Sequence, residues 1–492
     1  MTNLSDLLPA GAASKQLEFT ASGTIAQGKP VILNANGTVT QVAGESADQG
    51  IGSPTVFESG SAPYSSPTFD SSNNKVVIAY CDNSNSSYGT AVVGTPASDN
   101  SITFGTPVVF NSGSTSYTSA TFDSSNNKVV IAYTDGGNSS HGTAIVGTVS
   151  GTSISFGSEV VFRASSADYI STVFDSSNNK VVVVFRDASG ASGGYGTAIV
   201  GTVSGTSISF GTKAAYNSEN TSDQAATFDS NSNKVVIAYK DSGDNQGKAI
   251  VGTVSGTSIS YGSAGTFDTN ALTTYITATF DSSNNKVAIG YNQSANGYSY
   301  AVVGTVSGTS ISFGSSVQIQ AAGANYISST FDSTADKVVF SYRDAGNSLY
   351  GTLIVGTVSG TSISFGSEVV YESAHVQFIG STFDSNLNKV VITYRDVDNS
   401  YYGTAVVFQV AYDSTNLTAT NFLGIADEAI SNAASGNVTM KGGIASNGLS
   451  SLTPGSTYYV QRDGTLATSA ASPSVEAGKA MSATSINLDY ST

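Results

Sequence analysis

Tryptophan is absent from this chain of 492 residues, cysteine occurs once and histidine only twice. The single cysteine, Cys81, excludes an intrachain disulfide. The histidines, His141 and His375, lie in different parts of the chain and offer no metal-ligand spacing, so we expect neither a metal nor a cofactor. Only 11% of the residues are charged and the net charge is −16. Because such a chain repels phosphate backbones, we expect no nucleic-acid partner.

Signals for membranes, export and catalysis are missing as well. No apolar run approaches membrane-spanning length, so we expect no membrane insertion. Residues 1–15 lack the basic-then-apolar pattern of a signal peptide, which predicts synthesis in the cytoplasm. The strand–turn–helix context of a Gly-x-Ser-x-Gly nucleophile does not appear, and the Asp-box repeats of sialidase propellers carry a tryptophan that this chain lacks. We therefore expect no enzyme activity.

What the chain has in abundance is one repeated phrase, Thr-Phe-Asp, a Ser/Asn-rich turn and Lys-Val-Val-Ile-Ala-Tyr. Successive copies are separated by 53, 52, 54, 52, 51 and 52 residues. Their phenylalanines are Phe69, Phe122, Phe174, Phe228, Phe280, Phe331 and Phe383. A regular repeat rich in Val, Ile, Tyr and Phe indicates an architecture of repeated β-strand units.

Each copy is consistent with four strands, here called A to D. In the second copy these are 117–123, 128–133, 142–149 and 153–162, with a bulge expected at Gly157. Strand B is continuously apolar, which is typical of a strand buried on both faces. Sheets stacked face to face around an axis bury both faces. The sequence therefore predicts an all-β fold, a seven-bladed β-propeller with four strands per blade.

The two ends of the array predict that the ring closes. The seventh copy lacks strand D, and a spare strand D precedes the first copy at 53–57. Borrowing this N-terminal strand for the last blade would remove the open sheet edges. An open β-solenoid is the alternative, but it needs neither a missing strand nor a spare one.

The composition changes outside the array. We expect an N-terminal arm and strands in 1–47, the propeller in 48–412 and a C-terminal β segment in 413–492. Turns are predicted at 34–37 and at Asp463-Gly464, and 425–433 is the clearest helix-compatible segment. Because a closed propeller brings its ends together, both flanks are expected to form one small β domain into which the propeller is inserted.

The C-terminal segment resembles a module of tailed-bacteriophage virion proteins, particularly those of marine phages. The similar stretches are Leu423-Gly424-Ile425-Ala426, Gly436-Asn437-Val438, Gly442-Gly443, Leu452-Thr453-Pro454-Gly455, Tyr458-Tyr459-Val460, Asp463-Gly464-Thr465-Leu466, Gly478-Lys479-Ala480 and Ser482-Ala483-Thr484. Residues 23–39 are similar to the strand pair that often opens such modules, and the repeats resemble those of phage fibre proteins. The resemblance implies a virion structural protein, located in the virion, and implies no catalytic residues.

Loop variability separates the two faces of the ring. The A–B turn, Asp-Ser-Ser-Asn-Asn-Lys, and the C–D turn, Ser-Gly-Thr-Ser-Ile, are nearly uniform among the copies, whereas the B–C and D–A loops differ. Recognition usually resides in variable loops on a rigid scaffold, so binding is assigned to the B–C/D–A face; unselected drift is the alternative. The oxygen-rich A–B turn lacks the glutamate and spacing of an EF-hand, which favours an Asx-turn over a calcium site.

Two sets of side chains are candidate ligand-binding residues on the variable face. Five residues before each repeat phenylalanine stand Tyr64, Tyr117, Tyr169, Asp223, Tyr275, Tyr326 and Phe378. Their rings could stack on sugars or wedge neighbouring blades at the channel mouth. After the strand-B aromatic stand Cys81, Thr134, Arg186, Lys240, Asn292, Arg343 and Arg395. The arginines could grip carboxylated glycans or pair with the aspartates that follow them; Cys81 is expected to be inert.

The combined expectation is a non-enzymatic phage structural protein, a tail fibre or a head decoration. The terminal β domain would bind other virion proteins, in many copies or as a homo-oligomer. The propeller would bind host-surface glycans, with many weak contacts combining into avidity. The alternatives are a purely architectural decoration and a free lectin-like propeller.

Overall fold

A computed structural model describes residues 15–189, 194–269, 272–470 and 473–488 of the chain. The chain separates into two compact units: one is Asp48–Val410, and the other combines the chain up to Ala47 with the chain from Ala411 onward. The C-terminal part of this second unit begins at Ala411, two residues before the expected boundary at residue 413. Tyr412 already pairs with Ala47 in a two-stranded sheet of that unit. The first 14 residues of the expected N-terminal arm lie outside the described residues.

The larger unit is a seven-bladed β-propeller. Strands B are Lys75–Asp82, Lys128–Asp135, Lys180–Asp187, Lys234–Asp241, Lys286–Gln293, Lys337–Asp344 and Lys389–Asp396. Strands C are Tyr88–Pro96, His141–Ser150, Tyr195–Ser204, Gln246–Ser255, Tyr298–Ser307, Tyr350–Ser359 and Tyr402–Gln409. The packing of strand B explains why it is continuously apolar. In blade 1, Val76 and Ile78 pack toward blade 7, whereas Val77 and Ala79 pack toward blade 2. Each blade thus buries both faces.

Strand D differs from the expected bulged strand because it is broken in two. Its first pieces are Ile102–Phe104, Ser153–Phe156, Ser207–Phe210, Ser258–Tyr261, Ser310–Phe313 and Ser362–Phe365. In four places its second piece continues without a loop into strand A of the next blade: Val108–Asp123, Val160–Asp175, Ala214–Asp229 and Val369–Asp384. Elsewhere the two are separate strands: Thr55–Ser61 and Ser66–Asp70, Gly265–Asp268 and Thr273–Asp281, Val317–Gln320 and Ala324–Asp332. Most of the expected D–A loops are therefore strand.

The ring closes as predicted. Strand C of blade 7 pairs with two N-terminal pieces, Gly50–Ile51 and Thr55–Ser61, in the registers Phe408↔Ile51 and Ala405↔Thr55. The inner strands A are joined by hydroxyl pairs across neighbouring blades, such as Ser119–Thr172 at 2.9 Å. Closure removes the unpaired edges that an open array would expose.

The smaller unit is a β domain built from both ends of the chain, again as predicted. One sheet has the order Gln16–Thr20, Ser435–Met440, Phe422–Ala426, Pro30–Leu33, Val39–Gln41. The other has the order Ile444–Ala445, Ser485–Asn487, Glu476–Ser482, Thr457–Val460, Leu466–Ala467. The hairpin at Asp463-Gly464 is confirmed by the pairing Val460↔Leu466. The helix-compatible segment is instead strand and turn, because Ile425 pairs with Pro30 of the N-terminal segment.

Helical structure in the described residues is limited to two short 3-10 turns, Asn83–Asn85 and Gly136–Asn138. Within the same described ranges, no helix has the length and apolar character needed to cross a membrane.

Candidate functional site

Every strand A begins at a backbone irregularity. The residue at this point has a left-handed backbone, with φ between 48° and 59°, in all seven blades. These residues are Tyr64, Tyr117, Tyr169, Asp223, Tyr275, Tyr326 and Phe378. In blade 2 the A–B pairing skips between Ser116 and Ser119, which marks Tyr117 as part of a β-bulge. Left-handed backbone in a bulky residue is an outlier that costs roughly 1–3 kcal/mol, and such strain clusters at functional sites.

These left-handed residues bring the seven side chains together at one end of the channel, around a cavity of about 250 Å³. We call these seven residues the mouth ring. Neighbouring rings are in contact, with centroid distances of 5.2 Å for Tyr64–Tyr117 and 4.8 Å for Tyr64–Phe378. The series is interrupted once, between Tyr169 and Tyr275, where Asp223 takes the place of an aromatic residue. The rings thus pack on one another, as the wedge interpretation expects.

Hydrogen bonds between blades hold the bulges open. A bulge frees the carbonyl of its mouth-ring residue from the sheet, and the next blade supplies a donor. Ser65 Oγ donates to the carbonyl of Phe378 at 2.8 Å, and Gln224 Nε2 donates to that of Tyr169 at 2.7 Å. Asp223 Oδ1 accepts from the backbone N–H of Tyr275 at 3.0 Å. The strained backbone is therefore fixed by the ring as a whole.

Burial raises the pKa of four mouth-ring tyrosines above the ordinary value of 10.0. It raises the pKa of Tyr117 to about 12, and it also raises the pKa of Tyr64, Tyr169 and Tyr275. Near neutral pH these phenols keep their protons, so each can both donate and accept a hydrogen bond.

The candidate arginines lie over the mouth ring. The guanidinium carbon is 4.9 Å from the ring centroid of Tyr169 for Arg186, 4.8 Å from that of Tyr326 for Arg343 and 4.7 Å from that of Phe378 for Arg395. These are cation–π distances. The two candidate sets therefore form one cluster on the face that carries the B–C loops.

Pairing of these arginines with the aspartates that follow them, one of the two expectations, is wrong. Adjacent residues on a strand point to opposite faces, so Arg186 and Asp187 cannot meet. Asp187 pairs instead with Arg163 at 2.9 Å and with Lys213. The equivalent aspartates of other blades accept hydrogen bonds from their own B–C loops. Asp344 Oδ1, for example, accepts from the Gly346 N–H at 2.8 Å.

The arginines contact the cross-strand neighbour or the next blade. Arg186 forms an ion pair with Asp168 at 2.7 Å, directly opposite on strand A. Arg395 donates to Gln377, its own cross-strand partner. Arg343 Nη1 lies 3.2 Å from His375 Nε2. Only Arg186 of the three has a carboxylate partner among the described residues.

A second cavity of about 330 Å³ opens beside Arg395. Its lining comprises Pro63, Tyr64, Cys81, Asn83, Ser87, Ser114, Thr115, Ser116, Phe378 and Arg395. Burial raises the pKa of Cys81 to about 11, so the thiol remains protonated near neutral pH, in agreement with the expected inertness.

The uniform turns of the other face serve the scaffold. In the first A–B turn, Asp70 Oδ1 accepts from the N–H groups of Ser72 and Asn73, both at 3.0 Å, and Oδ2 accepts from the Asn73 side chain at 2.8 Å. This is the expected Asx-turn. Ser72 Oγ also donates to Asn127 of the next blade at 2.5 Å. Uniformity on this face follows from contacts within turns and between blades.

Sequence reasoning located the mouth ring and the stacked arginines but missed Asp168, Gln377, His375 and Tyr401, which contact those arginines. Asp168 and Gln377 each immediately precede a mouth-ring residue in the sequence. The pairing register of strand A with strand B could therefore have identified them as the cross-strand neighbours of Arg186 and Arg395. Parts of two variable loops, 190–193 and 270–271, lie outside the described residues. In the part of the chain that is described, no group of three or more His, Cys, Asp or Glu side chains could hold a metal ion.

No protein-family model and no curated protein sequence matches the chain. The chain is similar to one chain of a solved structure described as the crystal structure of a mitotic checkpoint complex. The identity is 11%, the match covers 74% of this chain and 96% of that chain, and the TM-score is 0.48. The propeller assignment follows from the strand pairing within this chain.

Proposed function

We propose that this chain is a non-enzymatic structural protein of a tailed-bacteriophage particle, and that its propeller binds carbohydrate on the host surface. The resemblance of both chain ends to virion modules supports the particle assignment. In this proposal the terminal β domain binds other virion proteins, and the protein is present in many copies. Many weak propeller–sugar contacts then combine into avidity.

The mouth ring is the observation that carries the binding proposal. Seven residues with left-handed backbone direct their side chains toward one cavity, and six of these side chains are aromatic. Aromatic faces suit the apolar faces of sugar rings, while neutral phenols and guanidinium groups suit sugar hydroxyls. A ring that only separated blades would not need left-handed backbone at every position.

A purely architectural decoration is the second candidate. The observation that favours it is the contact between neighbouring mouth-ring residues, because faces engaged with one another are less available to a ligand. Tyr326 and Phe378, for example, are 5.3 Å apart between centroids.

Glycan-array binding by the full chain separates the two candidates. We expect wild-type protein to bind carbohydrate, and a Tyr117→Ala/Tyr169→Ala/Tyr326→Ala variant to lose about tenfold or more in apparent affinity. A Val109→Ser variant is the matched control, since Val109 is 41% exposed on an outer strand D. Circular dichroism and thermal unfolding check that each variant folds. Absence of glycan binding by wild-type protein would favour the architectural candidate.

The particle assignment has its own test. Mass spectrometry of purified particles should detect the chain, and immunogold labelling should locate it on tail or head. Deletion of residues 416–492 should abolish incorporation, because it removes two of the five strands of the first sheet of the terminal domain and all five strands of the second. Incorporation of the truncated chain at wild-type level would contradict attachment through that domain.

A further inference from the structure

The three stacked arginines differ in charge compensation. Arg186 faces Asp168 across the A–B pair, whereas Arg343 faces Asn325 and Arg395 faces Gln377. No described carboxylate lies within ion-pair distance of Arg343 or Arg395. On a chain of net charge −16, the neighbouring blades 6 and 7 therefore each present a guanidinium group that has no described carboxylate partner.

The cavity beside Arg395 exists because blade 1 carries a small residue. Cys81 occupies the position at which blades 3, 6 and 7 have arginine, and this leaves open the space that a guanidinium would fill. The cavity is lined by hydroxyl and amide groups, including those of Ser114, Ser116 and Asn83, and by the aromatic residues Tyr64 and Phe378. Because burial keeps the Cys81 thiol protonated, it adds no negative charge.

Arg395 is held in place before any ligand arrives. Its guanidinium lies 4.7 Å from the centroid of Phe378 and 5.2 Å from that of Tyr401. It donates to Gln377, and to Ser61 Oγ at 3.4 Å. An arginine has five N–H donors, so these contacts orient the group without exhausting it. A fixed guanidinium recognises the two oxygens of a carboxylate or a sulfate with good geometry.

We infer that this cavity binds the anionic group of an acidic sugar unit, a uronate carboxylate or a sulfate ester, with Arg395 as its anchor. The inference rests on the proposed carbohydrate function and specifies its ligand class. The hydroxyls of Ser114 and Ser116 and the amide of Asn83 would contact the sugar hydroxyls, and Tyr64 would contact the ring. Arg186 would contribute little, because Asp168 already neutralises it.

Calorimetric titration of the full chain with matched oligosaccharides tests this inference. The probes are an oligouronate, its carboxyl-reduced neutral form and a sulfated oligosaccharide of equal length; the first and third identify which anion is preferred. We expect one of the two acidic probes to bind, and binding to weaken as salt is raised. Carboxyl reduction should abolish uronate binding, R395Q should weaken the preferred acidic probe about tenfold or more, and the matched R186Q should change it less than about threefold.

A second variant, Ser114→Phe, fills the cavity without altering Arg395 and should abolish binding of the acidic probe. If R395Q does not fold, Ser114→Phe takes its place in the test. Equal affinity for the acidic and neutral probes, or a greater loss in R186Q than in R395Q, would overturn the anion site and leave the carbohydrate function intact. Failure of every sugar, acidic or neutral, would overturn both proposals.

Discussion

Replacing Ala335 by asparagine should stabilise the propeller by about 1–2 kcal/mol at neutral pH. The copies in this chain supply the reason. In four A–B turns an asparagine side chain donates to Oδ2 of the turn aspartate, at 2.8 Å in blade 1 and 2.9 Å in blades 2, 3 and 5. Blade 6 has Ala335 at this position, and the buried Oδ2 of Asp332 has no hydrogen-bond partner among the described residues. The substitution supplies one charge-assisted bond.

The effect should depend on pH with a definite sign. Burial raises the pKa of Asp332 above its ordinary value of 3.8. Between these two pKa values the folded protein holds a proton that the unfolded chain has released, so the free energy of unfolding falls as pH rises through this window. A donor to the carboxylate lowers the folded pKa and removes part of that loss. The gain from Ala335→Asn should therefore be full at pH 7 and nearly absent at pH 3.

Urea unfolding of wild-type and variant protein at the two pH values measures the gain, and carbon NMR of the aspartate carboxyls follows the pKa. Ala335→Ser is the matched control, because blade 4 carries Ser232 at this position and a serine hydroxyl is too short to reproduce the amide contact. A neutral or destabilising effect of Ala335→Asn at pH 7, or an equal gain at both pH values, would refute the reasoning.

Two further predictions concern the scaffold. Gly105→Ala should lower the free energy of unfolding by about 2–4 kcal/mol, since its Cβ would lie 1.8 Å from the Thr152 carbonyl oxygen of the next blade. In Gly366→Ala the new Cβ would meet nothing closer than 3.8 Å, so the free energy of unfolding should change by less than about 0.5 kcal/mol. Equal urea midpoints for the Gly105→Ala and Gly366→Ala variants would contradict this prediction. Phe57→Ala should lower the free energy of unfolding by about 3–5 kcal/mol, because the ring of Phe57 packs 5.2 Å from that of Tyr80. Phe162→Ala, in another blade, should have a similar effect. An unchanged free energy of unfolding in Phe57→Ala would contradict closure by the N-terminal strand.

The repeat made the fold predictable from local information. Its period, its doubly buried strand B and the spare strand at 53–57 predicted a closed seven-bladed ring, and the pairing of Ala405 with Thr55 confirms it. Turn residues are equally local: the Asx-turn at Asp70 and the hairpin at Asp463 follow from side chains that bond to their own backbone.

Other features depended on residues distant in sequence. Tyrosine has no intrinsic preference for left-handed backbone, so the bulge at Tyr117 arises from ring packing and from donors on adjacent blades. The helix-compatible segment at 425 became strand because its pairing partner lies about 400 residues earlier. The partner of Arg186 was misassigned because the aspartate next to it in sequence points to the opposite face.

The sequence by itself determined the number of blades, the strand that closes them and the difference between a uniform and a variable face, because periodicity and turn chemistry act over a few residues. Only the tertiary structure decided which side chains meet at the channel mouth and which arginines remain without a carboxylate. Those contacts depend on how one blade is placed against the next, and separation along the chain does not encode that placement.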